Sequence, residues 1–490
     1  MSGDFSASSS FVPAMAAEGR RILFVTSEFA DLIKAGGLGD VSAALPRALR
    51  DHADVRVLIP AYRPIATLRN AISVIGRLPG SAEIPPCDLG RLTTRDGLVV
   101  YVLLAPELYD REGGPYGDAA GSDWPDNDIR FARLCLAAAD MAAGLGDPLW
   151  RPHLLHLNDW PAALTPGYLA WRHQPTPTLL TIHNLAYQGL FPRDRLARLS
   201  VPEHAFQVEG VEFHGQMSFL KCGIYYASHI TTVSVTYAAE ITTPALGCGL
   251  DGLLRDRAGR GQLSGILNGI EAGRGFDGEL DADDWKAKRG SAEAVRRAFG
   301  LASSGGPLFA IVSRLVHQKG VDLAIEAAET IVREGGQLVV IGRGEPRFEY
   351  GLCALAGRYR DHVGVNIGYE DVQARRIYCG SDFLLMPSRF EPCGLTQMYA
   401  QRAASLPIAH KTGGLADTID DGRTGFLFSE FSLAAMLTAV RRAFETFGSA
   451  NRLNDMRRMA MSRTFDWSES AARYALLYRR QSAGADRLVR

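Results

Sequence analysis

No apolar run in this chain approaches the ~18 residues that a membrane-crossing helix requires, so nothing in it reads as a span. Cysteine is sparse. The seven thiols (Cys87, Cys135, Cys222, Cys248, Cys353, Cys379 and Cys393) are scattered, odd in number and free of any C-x-x-C pair. That excludes a disulfide frame or a zinc ribbon and fits reduced thiols. Net charge is nearly absent at −1, so no global field recruits nucleic acid or an anionic membrane, and any anionic ligand must meet local cations. The first twenty residues are rich in Ser and Ala but carry Asp4 and Glu18. They lack the cation-then-apolar order of a secretory signal. A disordered tail over residues 1–20 and a cytoplasmic protein are expected, with a plastid location left open.

At 490 residues the length prior is two to four domains. Short apolar runs begin at Arg21-Ile-Leu-Phe-Val-Thr26 and recur at Val55–Ile59, Leu98–Leu104, Leu154–Leu157, Leu179–Ile182 and Ile230–Val233. The rhythm restarts at Leu308–Ser313 and continues through Leu338–Ile341, Val363–Ile367, Phe383–Met386 and Leu406–Ala409. Continuous apolar strands alternating with helices argue for parallel sheet covered on both faces. The polar interval Asp251–Arg260 reads as a hinge. The expected architecture is two α/β domains facing each other over a cleft, with ligands beyond the carboxyl ends of the strands.

The most telling string is Arg389-Phe-Glu-Pro-Cys-Gly-Leu-Thr396, after the apolar run Phe383–Pro387 and before a helical pattern. It sets a carboxylate, Glu391, at a strand-to-helix turn, where backbone amides attract anions. An acid beside a phosphate cradle makes sense if the ligand carries both a phosphate and hydroxyls, as a nucleotide-sugar does. Ser313-Arg-Leu-Val-His-Gln-Lys-Gly320 offers Arg314 and Lys319 to one anion, the first bidentate and the second a mobile point charge. Lys34-Ala-Gly-Gly-Leu-Gly-Asp-Val41 is a glycine-rich turn that fits neither a P-loop nor the full dinucleotide spacing. A plain structural turn with a solvated lysine remains its competing reading. His183, in Thr181–Gly189, and Asp159, in His156–Trp160, end two further strands at the same rim. Asp159 reads equally as a helix N-cap. The strings Asp126-Asn-Asp128 and Asp281-Ala-Asp283 open helical patterns, so they read as acids favouring helix starts and not as metal ligands.

Taken together these strings closely resemble the bacterial glycogen synthase and plant starch synthase family. They are joined, in the family's order, by Pro-Tyr-Gly at 115–117, Leu-Asn-Gly at 267–269, Ile-Gly-Tyr at 367–369 and Thr-Gly-Gly-Leu-Ala-Asp-Thr at 412–418. The resemblance implies a GT-B fold of two Rossmann-like, doubly wound domains: 21–255 on the acceptor side, 256–463 on the nucleotide-sugar side, and 464–490 a helix returning to the first. It implies a retaining glucosyltransferase that moves glucose from ADP-glucose to an α-1,4-glucan, without cofactor or metal. By position, Lys34, Gly36, Gly37 and Asp40 resemble contacts to the distal phosphate and sugar. Arg314 and Lys319 resemble the pair that neutralises the diphosphate, with backbone amides from Gly394, Leu395 and Thr396, and Cys393 a further substrate-binding position. Glu391 resembles the acid holding glucose hydroxyls and His183 the residue beside the anomeric carbon. Asp159, Tyr116, Asn184 and Asn268 resemble site-lining residues, and Tyr369 the aromatic on adenine. Departures are Asn158 where the family has His, His214 for Asn, Val235 for Pro, and Glu271 where Asp then Trp are usual. A relative with another donor or acceptor, an NAD-linked oxidoreductase and a glucan-binding scaffold are the rival readings.

Overall fold

A computed structural model describes residues 19–271, 285–368 and 370–488. The chain forms two compact units. Unit 1 is assembled from three pieces, the chain up to Val233, Ala238–Gly269 and the chain from Trp467 on; unit 2 comprises Ser234–Tyr237 and Ile270–Asp466.

In unit 1 the strands are β1 (Arg21–Val25), β2 (Asp54–Pro60), β3 (Ser73–Leu78), β4 (Cys87–Thr93), β5 (Val99–Leu104), β6 (Leu154–Asn158) and β7 (Thr178–Ile182). A small antiparallel sheet follows, β8 (Leu190–Pro192), β9 (Glu212–Phe213) and β10 (Gln216–Ser218), and then β11 (His229–Thr232) and β12 (Leu263–Gly265). The main sheet runs β12-β11-β7-β6-β1-β2-β5-β4-β3. β6 and β7 are buried at every residue and β1 at all but its first, as strands covered on both faces must be. One expectation is corrected. The sheet is mixed, because β4 pairs antiparallel with both β3 and β5. The chain runs to β2 and β5 on one side of β1 and to β6, β7 and β11 on the other, so the topological switch lies between β1 and β6.

Unit 2 carries β13 (Leu308–Val312), β14 (Gln337–Gly342), β15 (Val363–Ile367), β16 (Phe383–Met386), β17 (Leu406–His410) and β18 (Phe426–Phe428). All pair in parallel, in the order β15-β14-β13-β16-β17-β18. Phe309 and Ile311 of β13 enter one core, while Leu308, Ala310 and Val312 enter the other. Period-2 alternation thus places apolar residues on both faces. The switch here lies between β13 and β16. Ligands of open α/β sheets bind beyond the strand ends at such points.

The expected hinge is not one. Asp251–Gly259 is a helix within unit 1, with Leu254 and Arg257 buried. Its polarity misleads because the Arg257 guanidinium points inward, onto the carbonyls of Ala227 and Tyr225. The chain changes unit at Gly269–Ile270 and Asp466–Trp467, and briefly for Ser234–Tyr237. The closing helix, Trp467–Leu488, packs on the helix Gly37–Leu49. Its Tyr478 hydroxyl lies 2.7 Å from His156 Nδ1. No helix among the described residues is long and apolar enough to cross a membrane.

Candidate active site

In unit 2 the loops after β13 and β16 close on each other. Lys319 Nζ lies 2.5 Å from Glu391 Oε2, and Ser388 Oγ donates to the same oxygen at 3.0 Å. Glu391 is only 5 % exposed, so its charge needs this pairing. Arg389 locks the loops together, bidentate to Asp322 and donating to the His317 carbonyl, while Gln318 donates to the Phe390 carbonyl. Gly320 makes this approach possible. Its φ is +66°, and a Cβ there would lie 1.8 Å from the Pro387 carbonyl oxygen. Arg314 stands in the same loop, two residues beyond β13. Cys393 is buried and turns its carbonyl inward to Gln397. Among the described residues the amides of Gly394, Leu395 and Thr396 donate to no protein acceptor. Tyr369 lies outside the described residues, as do residues 1–18 and the string Asp281–Asp283.

In unit 1 the loop after β1 is organised by a residue that sequence reasoning missed. Glu28 is buried and accepts from the amides of Ala35 at 2.7 Å and Gly36 at 2.8 Å through Oε2. Through Oε1 it accepts from the Tyr116 hydroxyl at 2.7 Å. The Gly36 amide is therefore committed to Glu28 and is not available to a ligand. The Gly37 amide meets no protein acceptor among the described residues. Lys34 and Asp40 pair with each other at 2.8 Å. Burial, then the neighbouring Glu28 charge, holds the Tyr116 phenol well above its ordinary range.

The ends of β6 and β7 form a second polar group. Asp159, at φ +55°, accepts from the His183 amide at 2.7 Å and the Asn184 amide at 3.3 Å. It does not cap its helix, Asp159–Ala162, whose N-cap is Asn158 without a side-chain bond; the capping reading is withdrawn. Burial raises the Asp159 carboxyl to about 7, against those two amide bonds and with a push from Glu28. Burial lowers His183 to about 3, leaving a neutral ring whose Nε2 lies 3.0 Å from Asn158 Oδ1. Asn158 also donates to the Val25 carbonyl, which ties β6 to β1 across the switch. The Asn184 side chain is spent on a local turn, accepting from Ala186 N. Asn268 is 5 % exposed, and its Oδ1 has no donor among the described residues.

A family model described as "Starch synthase catalytic domain" matches residues 21–256, and one described as "Glycosyl transferases group 1" matches 295–459. Glycogen synthase 1 of Bradyrhizobium diazoefficiens is 57% identical over 92% of this chain and 99% of its own length. The chain belongs to the glycogen synthase and starch synthase family. Another family member, the glycogen synthase of Pseudomonas fluorescens, is 57% identical over 95% of this chain and 90% of its own. Among solved structures of the family, the catalytic domain of Arabidopsis thaliana starch synthase IV, bound to ADP and acarbose, aligns with TM-score 0.82 at 28% identity. That alignment covers 95% of this chain and all of that one. Sucrose-phosphate synthase from Thermosynechococcus elongatus, at 18% identity and TM-score 0.58 over 95% of this chain and 100% of its own, shares the fold.

Two structural partners were not singled out as site residues from the sequence. Glu28 is an acid directly after an apolar strand, and Gln397 closes the Glu391 string. Their importance lies in contacts to loop backbone and to distant hydroxyls, which spacing does not reveal.

Proposed function

We propose that this enzyme extends an α-1,4-glucan by taking glucose from ADP-glucose, joining C1 to a terminal 4-hydroxyl with retention and releasing ADP. The observation that carries this reading is the Lys319–Glu391 pair at the β13/β16 switch, which offers a phosphate ligand and a sugar ligand on one spot. As the C1–O bond breaks, negative charge grows on the diphosphate while the sugar becomes oxocarbenium-like. Lys319 offsets the Glu391 charge, and Arg314 and the amides of 394–396 add donors toward the diphosphate. Fixed donors aimed at growing charge lower the barrier more than they stabilise the bound substrate. Glu391 accepts from glucose hydroxyls. His183, kept neutral by burial, does not repel the carbon as it turns cationic. In this reading Lys34, Asp40 and Gly37 contact the distal phosphate and sugar, and Tyr116, Asp159, Asn184 and Asn268 line the site.

The test is incubation with ADP-glucose or UDP-glucose plus glycogen, following nucleotide release and polymer growth. ADP release coupled to glucan extension is expected. A chain that binds glycogen yet frees no nucleotide, or extends it only from another donor, contradicts the proposal.

A further inference from the structure

Gln397 is fully buried beneath the turn that follows Glu391. Its Nε2 group lies 3.0 Å from the Cys393 carbonyl oxygen, 2.8 Å from that of Gly394 and 3.1 Å from Thr418 Oγ1. Thr418 gives its own proton to the Gly414 carbonyl, so its oxygen is an acceptor here. Three acceptors around one NH2 group fix which end of the amide is nitrogen. The other end, Oε1, is buried without a donor among the described residues, and a Cβ on Gly394 would lie 2.4 Å from it.

The two carbonyls Gln397 grips belong to the peptide planes 393–394 and 394–395. A trans peptide is planar, with its C=O and N–H pointing in opposite directions, and no peptide among the described residues is cis. Holding both carbonyls inward therefore turns the N–H groups of Gly394 and Leu395 outward. Gly394 has φ +69° and Leu395 φ −109°, ψ −26°. Successive residues of opposite hand gather their N–H groups on one concave side, which suits an anion. One turn further along the same helix, Gln401 Nε2 donates to the carbonyls of Gln397 and Thr418, anchoring the helix that bears Gln397.

We propose that Gln397 is a positioning residue for the reaction: from beneath the turn it fixes the two peptide planes whose amides receive the nucleotide diphosphate. This rests on the reading of that turn as the diphosphate seat. Gln397 touches no substrate and acts through the backbone. Misplacing a reacting group by about 1 Å costs on the order of a hundredfold, so loss of this grip is expected to fall within about 10- to 100-fold.

The experiment compares full-length wild type with Gln397→Met, Gln397→His and Lys319→Met, reading thermal midpoint, kcat, KM for ADP-glucose, KM for glycogen and inhibition by ADP. Met matches the length of Gln, donates nothing and removes the unsatisfied oxygen, so folding should survive. Gln397→Met should weaken ADP and raise the ADP-glucose KM by about 10- to 100-fold, with the glycogen KM unchanged. Gln397→His, which keeps an N–H donor, should recover part of the loss, and it carries the test alone if the Met chain does not fold. Nucleotide affinity within twofold of wild type in folded Gln397 variants, with Lys319→Met impaired, overturns the inference and leaves the seat standing. If Lys319→Met binds ADP as wild type does, the seat itself is wrong and the inference falls with it.

Discussion

Asp159 is a carboxyl whose proton state turns over near neutrality, and this has a definite sign. Its folded-state value is about 7 against 3.8 for the free group. Between these limits the folded protein holds a proton the unfolded chain has released, so its contribution to stability is present below about pH 4 and is lost as pH rises through 7. Asp159→Asn keeps an oxygen for the His183 and Asn184 amides and cannot ionise. The variant's thermal midpoint should therefore gain on wild type from pH 4.5 to pH 8; a constant margin contradicts the burial argument. At Arg314 the expectation is kinetic. Arg314→Ala removes a donor aimed at the growing diphosphate charge and should cost roughly a hundred- to a thousandfold in kcat, and a rate near wild type would remove it from the mechanism. Lys319 and Glu391 were legible because each stands just beyond an apolar strand in a short, chemically unusual string. Glu28 was not, since its partners are loop amides seven and eight residues on and a tyrosine 88 residues away.

Among elements, the turn after β16 and the helix Gly413–Thr418 are a single construction. Gly413 sits at φ +44°, and a Cβ on it would lie 1.9 Å from the Glu391 carbonyl oxygen. Gly413→Ala must either displace Glu391 or strain the helix start, at a cost of order 1–3 kcal/mol; urea unfolding should show that loss together with reduced turnover. In unit 1, His156 is fully buried between the Tyr478 hydroxyl and Thr181 Oγ1, 2.7 Å from each. Burial lowers it to about 3. Below pH 6.5 the unfolded chain gains a proton that the folded one refuses, so this stability is lost as pH falls toward 3. His156→Gln should flatten the acid limb of a stability–pH curve, and an unchanged limb would shift the cause to His183. The buried parallel strands were readable as apolar runs. β3 and β4 were not, being partly exposed and interrupted by Gly76 and Gly90. The helix Asp251–Gly259 was hidden by a buried arginine.

For the molecule as a whole, the repeated α/β rhythm showed two sheets, but not that unit 1 is completed by the far end of the chain. Gly269 illustrates the dependence: a Cβ there would lie 2.7 Å from Trp467 N. Ending the chain at Asp466 should leave unit 2's sheet resistant to limited proteolysis while unit 1 becomes a substrate for it. Equal resistance of both, or loss of both, would contradict the division. The same arrangement constrains synthesis. Translation runs from the amino end, so β1 is made before unit 2, yet the 22-residue helix that packs in unit 1 is made after it. At ordinary elongation speeds of 5–20 residues per second, the nascent first sheet waits on the order of 10–40 s while the inserted unit is made. During that interval unit 2 can finish folding, and unit 1, begun earlier, is the one that depends on chaperone protection.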